Sequence, residues 1–104
     1  MPQANVVMNV RLISSPTSII DTEGEVSAFA KPVLMEAYAQ ANTPTTRGIA
    51  LNFTSLAYMN SSGIGLLVTL LIRAHRQQQV LAYGLNEHYR HIFALTRISD
   101  AVKA

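Results

Sequence analysis

The chain has no cysteine and no tryptophan. The lack of cysteine excludes a disulfide framework and a thiolate metal site. Charge is scarce: only 13% of residues are charged, eight basic against six acidic, for a formal net charge of +2. The pI near 9.3 therefore reflects few acids rather than a basic stripe, and no nucleic-acid partner is implied. The longest apolar stretch, Ile64 to Ile72, is about half of the roughly 20 residues needed to cross a bilayer. Met1 to Asn9 has neither a basic start nor a sustained apolar stretch, so it does not read as a signal peptide. The expectation is a soluble, cytoplasmic protein without direct membrane insertion.

What is present is apolar. Hydrophobic residues make up 49% of 104 residues, which argues against disorder and suits one domain over 1–104 with its own core. Repeats, low-complexity tracts and linkers are absent. Val6, Met8, Val10 and Leu12 alternate, and period two with β-branched residues predicts a strand over Val6–Ile13. Turn formers follow at Ser14–Thr17, and Ser18–Asp21 predicts a second strand, paired with the first as an antiparallel hairpin. Glu23, Gly24 and Glu25 are expected to close it, with a connecting turn over Val26–Ala30. Pro32 suits a first helical position and biases Lys31 away from helix. Leu34, Met35, Ala37, Tyr38 and Ala41 then fall at helical spacing.

A loop over Asn42–Arg47 leads to a buried strand at Ile49–Phe53. The stretch Met59–Gln79 reads as a turn that opens a second helix. Gln77–Gln79 is a polar exit, Val80–Tyr83 another strand, and Asn86 caps a third helix over Glu87–Leu95, with a turn at Thr96–Asp100 and a short tail. Alternation in the second half implies parallel strands with right-handed crossovers. The fold class is therefore α/β: a mixed four- to five-stranded sheet with an N-terminal antiparallel hairpin and helices mainly on one face.

The organising feature is the turn at Ser61 and Ser62, followed at once by Gly63 and Gly65. Serine suits a helix N-cap, glycine allows close approach, and a helix N-terminus favours an anion. That combination fits a phosphoryl acceptor. From the local pattern alone it fits better a capped helix that packs on a sheet and does nothing else, since serine caps are common. Other chemistry finds little support. A phosphate-binding loop needs more glycines or a following lysine. A serine-hydrolase elbow needs glycines two before and two after the nucleophile, and neither serine has them. His88 and His91 share a helical face, but a third ligand is lacking and Glu87 is read as pointing elsewhere, so no metal and no cofactor is expected. Arg73, Arg76, Arg90 and Arg97 are read as solvated charges at helix ends and outer faces. No catalytic constellation is legible, and the chain is not read as an enzyme.

The segment LNFTSLAYMNSSGIGLLVTLLIRA resembles the signature of the STAS domain family, of the bacterial anti-sigma factor antagonist type. In that family a strand ends in an apolar–acid–Ser–Ser-or-Thr–Gly–Leu–Gly turn that opens the second helix. GEVSAFAKPVLMEAY is similar to the family's Gly–Glu–Leu turn and Pro-containing first helix, and NEHYRHIFALTRIS to its third helix. The resemblance covers most of the chain. It implies a non-catalytic switch that binds an anti-sigma factor, itself a serine kinase, and is released when phosphorylated. The matching acceptor is Ser62, with Ser61 a weaker candidate, and a phosphatase resets the switch. The implied partner-binding surface is Glu25, Ser27, Asn60, Ser61, Ser62, Gly63, Ile64, Gly65, Leu66 and Leu67. Gly63 and Gly65 are expected to let the partner's active site approach.

Two positions depart from the family pattern: Asn60 stands where an acid is usual, and Ser27 where Asp or Asn is frequent. Asn can hold a turn by hydrogen bonds but cannot act as a carboxylate. Two further readings stay open. One is a non-phosphorylated STAS scaffold subunit of a signalling or lipid-transport assembly. The other is a small-ligand binder or enzyme on the same fold.

Overall fold

The structure is a computed structural model that describes residues 5–14, 16–75 and 79–94. In chain order it contains β1 (Val6–Ser14), β2 (Thr17–Val26), a 3-10 turn (Ala28–Ala30), α1 (Lys31–Ala41), β3 (Gly48–Met59), α2 (Ser61–His75), β4 (Gln79–Tyr83) and α3 (Glu87–Ala94). The strands form one four-stranded sheet in the order β1-β2-β3-β4. β1 and β2 are the expected antiparallel hairpin, with Val10 opposite Ile20. β2 with β3 and β3 with β4 are parallel, as α-helical crossovers require.

Strand alternation decides which face is buried. Ile20, Leu51 and Ala82 lie in one row across β2, β3 and β4, and all three are buried. α1 lies over β1 and β2, and α2 over β3 and β4. Leu34, Ala37 and Ala41 of α1 and Leu67, Leu70, Leu71 and Ala74 of α2 fill the space above the sheet. Each such leucine contributes about 1.5–3 kcal/mol by its burial. The hydroxyl of Ser18, also buried, donates to the carbonyl of Ala41 at 2.8 Å and ties the start of β2 to the end of α1.

The next row, Asp21, Asn52 and Tyr83, points to the opposite face. There Arg11 grips Asp21 with two hydrogen bonds, Nη2 donating to Oδ1 at 2.8 Å and Nε to Oδ2. Asn52 Nδ2 donates to the same Oδ1 at 2.7 Å. Hydrogen bonds from Arg11 first, and Asn52 second, hold the Asp21 carboxyl below its usual range.

Several boundaries differ from expectation. β2 does not stop at Glu23–Glu25 but runs to Val26, because β1 still pairs with it at Gly24 and β3 as far as Val26 opposite Met59. Gly24 makes this possible: its φ is +97°, and a Cβ would sit 2.2 Å from the carbonyl oxygen of Asn5. β3 continues past Phe53 to Met59 by pairing with that extension. Only Ala28–Ala30 of the expected turn is left, as a 3-10 turn that runs directly into α1. Lys31 is helical despite preceding Pro32, with φ −53° and ψ −50°. The expected turn at Thr96–Asp100, the tail and Leu95 lie outside the described residues, as do Arg76 and Arg97.

Candidate functional site

The end of β3 is held from two sides. The N–H of Met59 donates to the hydroxyl of Tyr89 at 2.9 Å, and the N–H of Asn60 donates to the carbonyl of Val26 at 3.2 Å. The chain then turns into α2. The capping residue is Asn60 rather than either serine: its Oδ1 accepts from the N–H of Gly63 at 2.8 Å, and its carbonyl accepts from Ile64 at 2.9 Å. Asn60 thus fills the cap that the sequence reading gave to serine. Ser61 and Ser62 become the first two residues of the helix. Both are exposed.

The two glycines do different things. Gly63 is buried, and a Cβ there would sit 2.2 Å from the carbonyl oxygen of Val26. Its bareness lets the first turn of α2 press against the end of β2; it serves the fold rather than opening a path for a visiting active site. Gly65 is exposed, with nothing within 4 Å of where a Cβ would be. Of the other expected contact residues, Leu67 is 1% exposed and belongs to the core, while Ile64 and Leu66 are half-buried. Glu25 is exposed at the end of β2, which pairs with the end of β3 through Glu25 opposite Tyr58. Ser27 caps the 3-10 turn, its Oγ accepting from the N–H of Phe29 at 3.2 Å.

Between the 3-10 turn, α1 and α2 lies a cleft of about 340 Å³. Ser62, Leu66, Thr69 and Arg73 of α2 line one wall, Lys31 and Met35 of α1 the other. It carries two cations and no acid. Arg73, expected as a solvated charge, lines this cleft together with Lys31 and Thr69, which the sequence did not mark as site residues. The signal existed, since 62, 66, 69 and 73 recur at helical spacing and must share a face. Beyond this cleft, the third helix is capped as expected, Asn86 Oδ1 accepting from the N–H of Tyr89 at 3.0 Å. Glu87, however, does not point away from His91: Nε2 and Oε1 are 3.9 Å apart, one helical turn on an exposed face. Among the described residues no three side chains converge as metal ligands, and no helix is long and apolar enough to cross a membrane.

A mixed four-stranded sheet with three helices and this strand order defines a SpoIIAA-like α/β fold. The chain belongs to the STAS domain family, whose model matches residues 8–104. It is 26% identical over 81 residues to the anti-sigma-B factor antagonist of Listeria monocytogenes, covering 77% of this chain and 71% of that protein. It is 28% identical over 78 residues to the anti-sigma-B factor antagonist of Staphylococcus aureus, covering 74% and 72%. Unphosphorylated SpoIIAA, an anti-sigma factor antagonist, superposes with a TM-score of 0.63 at 20% identity, covering 86% of this chain and 83% of that one. The phosphorylated form of SpoIIAA from Bacillus gives 0.62 at 19%, covering 93% and 89%. The similar proteins are thus anti-sigma factor antagonists by name, and the SpoIIAA structures share this fold.

Proposed function

We propose that this protein is an anti-sigma factor antagonist that binds an anti-sigma factor of the serine-kinase kind and is released when that kinase phosphorylates Ser62. The observation that carries the reading is the setting of Ser62: an exposed hydroxyl in the first turn of α2, on the wall of a cation-lined cleft. A hydroxyl sealed in the core could not meet a visiting active site. The relatives' names support the general role.

The chemistry of release follows from charge. A phosphoserine adds about −1.5 to −2 charges at neutral pH and three acceptor oxygens. Lys31 and Arg73 make the cleft a seat for an acidic stretch of the partner. A phosphate on Ser62 supplies that charge from within, repels the partner's acids and roughens an apolar contact around Leu66 and Met35. The same phosphate leaves the domain folded, because the N-terminal end of a helix tolerates an anion. A phosphatase then restores the binding form. Glu25, Ser27, Ile64, Gly65 and Leu66 extend the docking surface around the serine. The protein acts by binding, not by catalysis.

Asn60 favours one second reading. An amide in place of an acid keeps the cap but offers no carboxylate to a kinase active site or its magnesium. The alternative is a scaffold subunit that docks through the same surface and is never phosphorylated. Incubation of the native cell extract with ATP, followed by mass mapping of the recovered protein, separates the two. A single phosphate on Ser62 supports the switch; an unmodified protein in a stable, ATP-insensitive complex supports the scaffold.

A further inference from the structure

β1 is an edge strand of the described sheet, and it is poorly defended. Natural edges are blunted by lysines, prolines, bulges or short length. β1 runs nine residues, VVMNVRLIS, with no proline and a single charge, Arg11, which Asp21 already engages. Its one irregularity is at the far end, where the register slips between Leu12 and Ser14. Val7, Leu12 and Ile13 are each more than half exposed.

The direction of its free backbone groups can be deduced. The N–H of Glu25 donates to the carbonyl of Asn5. That pair continues the β1–β2 register without a break, from Val6 opposite Gly24 to Leu12 opposite Ser18. In an antiparallel ladder bonded and non-bonded pairs alternate. Val7, Asn9 and Arg11 therefore bond to β2, while the N–H and C=O groups of Met8, Val10 and Leu12 point to the open edge.

We propose that this edge pairs with the same edge of a second copy, antiparallel, about a two-fold axis at Val10. In that register Val10 faces Val10 of the second copy, and Met8 faces Leu12 in both directions. These are the residues whose backbone groups point away from β2, so each pair exchanges two hydrogen bonds. A shift of one residue would oppose free groups to bonded ones. The side chains agree with the backbone. Exposed Val7 meets exposed Ile13. Arg11 meets Asn9, which is neutral, so no like charges are opposed.

The sheet becomes continuous over eight strands. α2 packs on β3 and β4, away from β1, so both Ser62 sites stay open and a dimer presents two of them. A single edge pair is small beside a standard interface of roughly 1,200–2,000 Å², so the dimer is a concentration-dependent rather than an obligate one.

The test is sedimentation of the full chain from about 5 to 500 μM, with amide hydrogen exchange at both ends of that range. The expected result is a dimer that forms with concentration and slows exchange at Met8, Val10 and Leu12 specifically. A variant at an exposed position with no charged residue opposite it on β2 reports the register. Leu12→Lys, facing Met8 of the copy, weakens the dimer by about tenfold, since the change acts twice. A protein that stays monomeric throughout overturns the proposal. So does a dimer that ignores residue 12 or leaves those three amides unchanged.

Discussion

The hydroxyl of Tyr89, on α3, accepts the backbone N–H of Met59 at the last position of β3, at 2.9 Å and in a buried setting. β4 pairs with β3 only as far as Asn52 opposite Tyr83, so among the described residues the last part of β3 has no strand on that side. Tyr89 supplies a bond the sheet cannot. Two residues on, the chain reaches Ser61. The third helix therefore holds the end of β3 from which the chain turns to the candidate acceptor.

Removing that hydroxyl should loosen the turn. Tyr89→Phe leaves the Met59 N–H buried and unpaired, at a cost of about 1–3 kcal/mol. Chemical denaturation should show the lower midpoint. Amide exchange should be faster at Met59 and Asn60 than in the centre of the sheet.

Gly63 is expected to tolerate no side chain. A Cβ 2.2 Å from the Val26 carbonyl oxygen and 2.7 Å from its carbon meets backbone on both counts, which cannot swing aside as a flexible side chain would. Gly63→Ala should cost at least about 2 kcal/mol, read from the thermal midpoint. Gly65→Ala, in open space within a helix, should be stabilising by roughly 0.5–1 kcal/mol. Equal effects at the two positions would contradict the assignment of one to packing and the other to the surface.

The Arg11–Asp21–Asn52 cluster gives a pH signature. The folded pKa of Asp21 is depressed, first by the Arg11 hydrogen bonds and then by Asn52. Its contribution is therefore full above the unfolded value of about 3.9 and is lost as pH falls through the lower folded value. The stability gap between wild type and Asp21→Asn should shrink as pH drops below about 4. NMR titration of the Asp21 carboxyl should give a midpoint under that of an ordinary aspartate. A midpoint at the ordinary value would show that the cluster is not held in solution.

Much of this architecture is legible in the residues. The hairpin, the parallel succession and the Asn86 cap depend on local signals, alternation and cap chemistry, and those persist in the folded state. The misreadings share a cause. Glu23-Gly24-Glu25 looks like the close of a strand because it is polar and holds a glycine, yet it pairs with Ser55, Leu56 and Tyr58 across the sheet. Pairing between distant segments overrides local preference. Lys31 is helical because a 3-10 turn capped by Ser27 delivers it already in a helical conformation. The cap at α2 fell to Asn60 because Ser61 and Ser62 had to lie inside the helix for Gly63 to meet Val26. The candidate acceptor is legible as two hydroxyls before two glycines. The cations facing it are not, since Lys31 reaches the cleft only through the packing of α1 beside α2.

The most direct measurement compares wild type, Ser62→Ala and Ser62→Asp in two assays on the same samples: calorimetric binding to the anti-sigma kinase recovered from the native cell, and unfolding by denaturant. Ser62 as a charge gate on association predicts that all three unfold within about 0.5 kcal/mol of one another, as exposed positions do. It also predicts that Ser62→Ala binds like wild type while Ser62→Asp loses at least about tenfold in affinity, about 1.4 kcal/mol. Undiminished binding by Ser62→Asp would contradict the account at its centre.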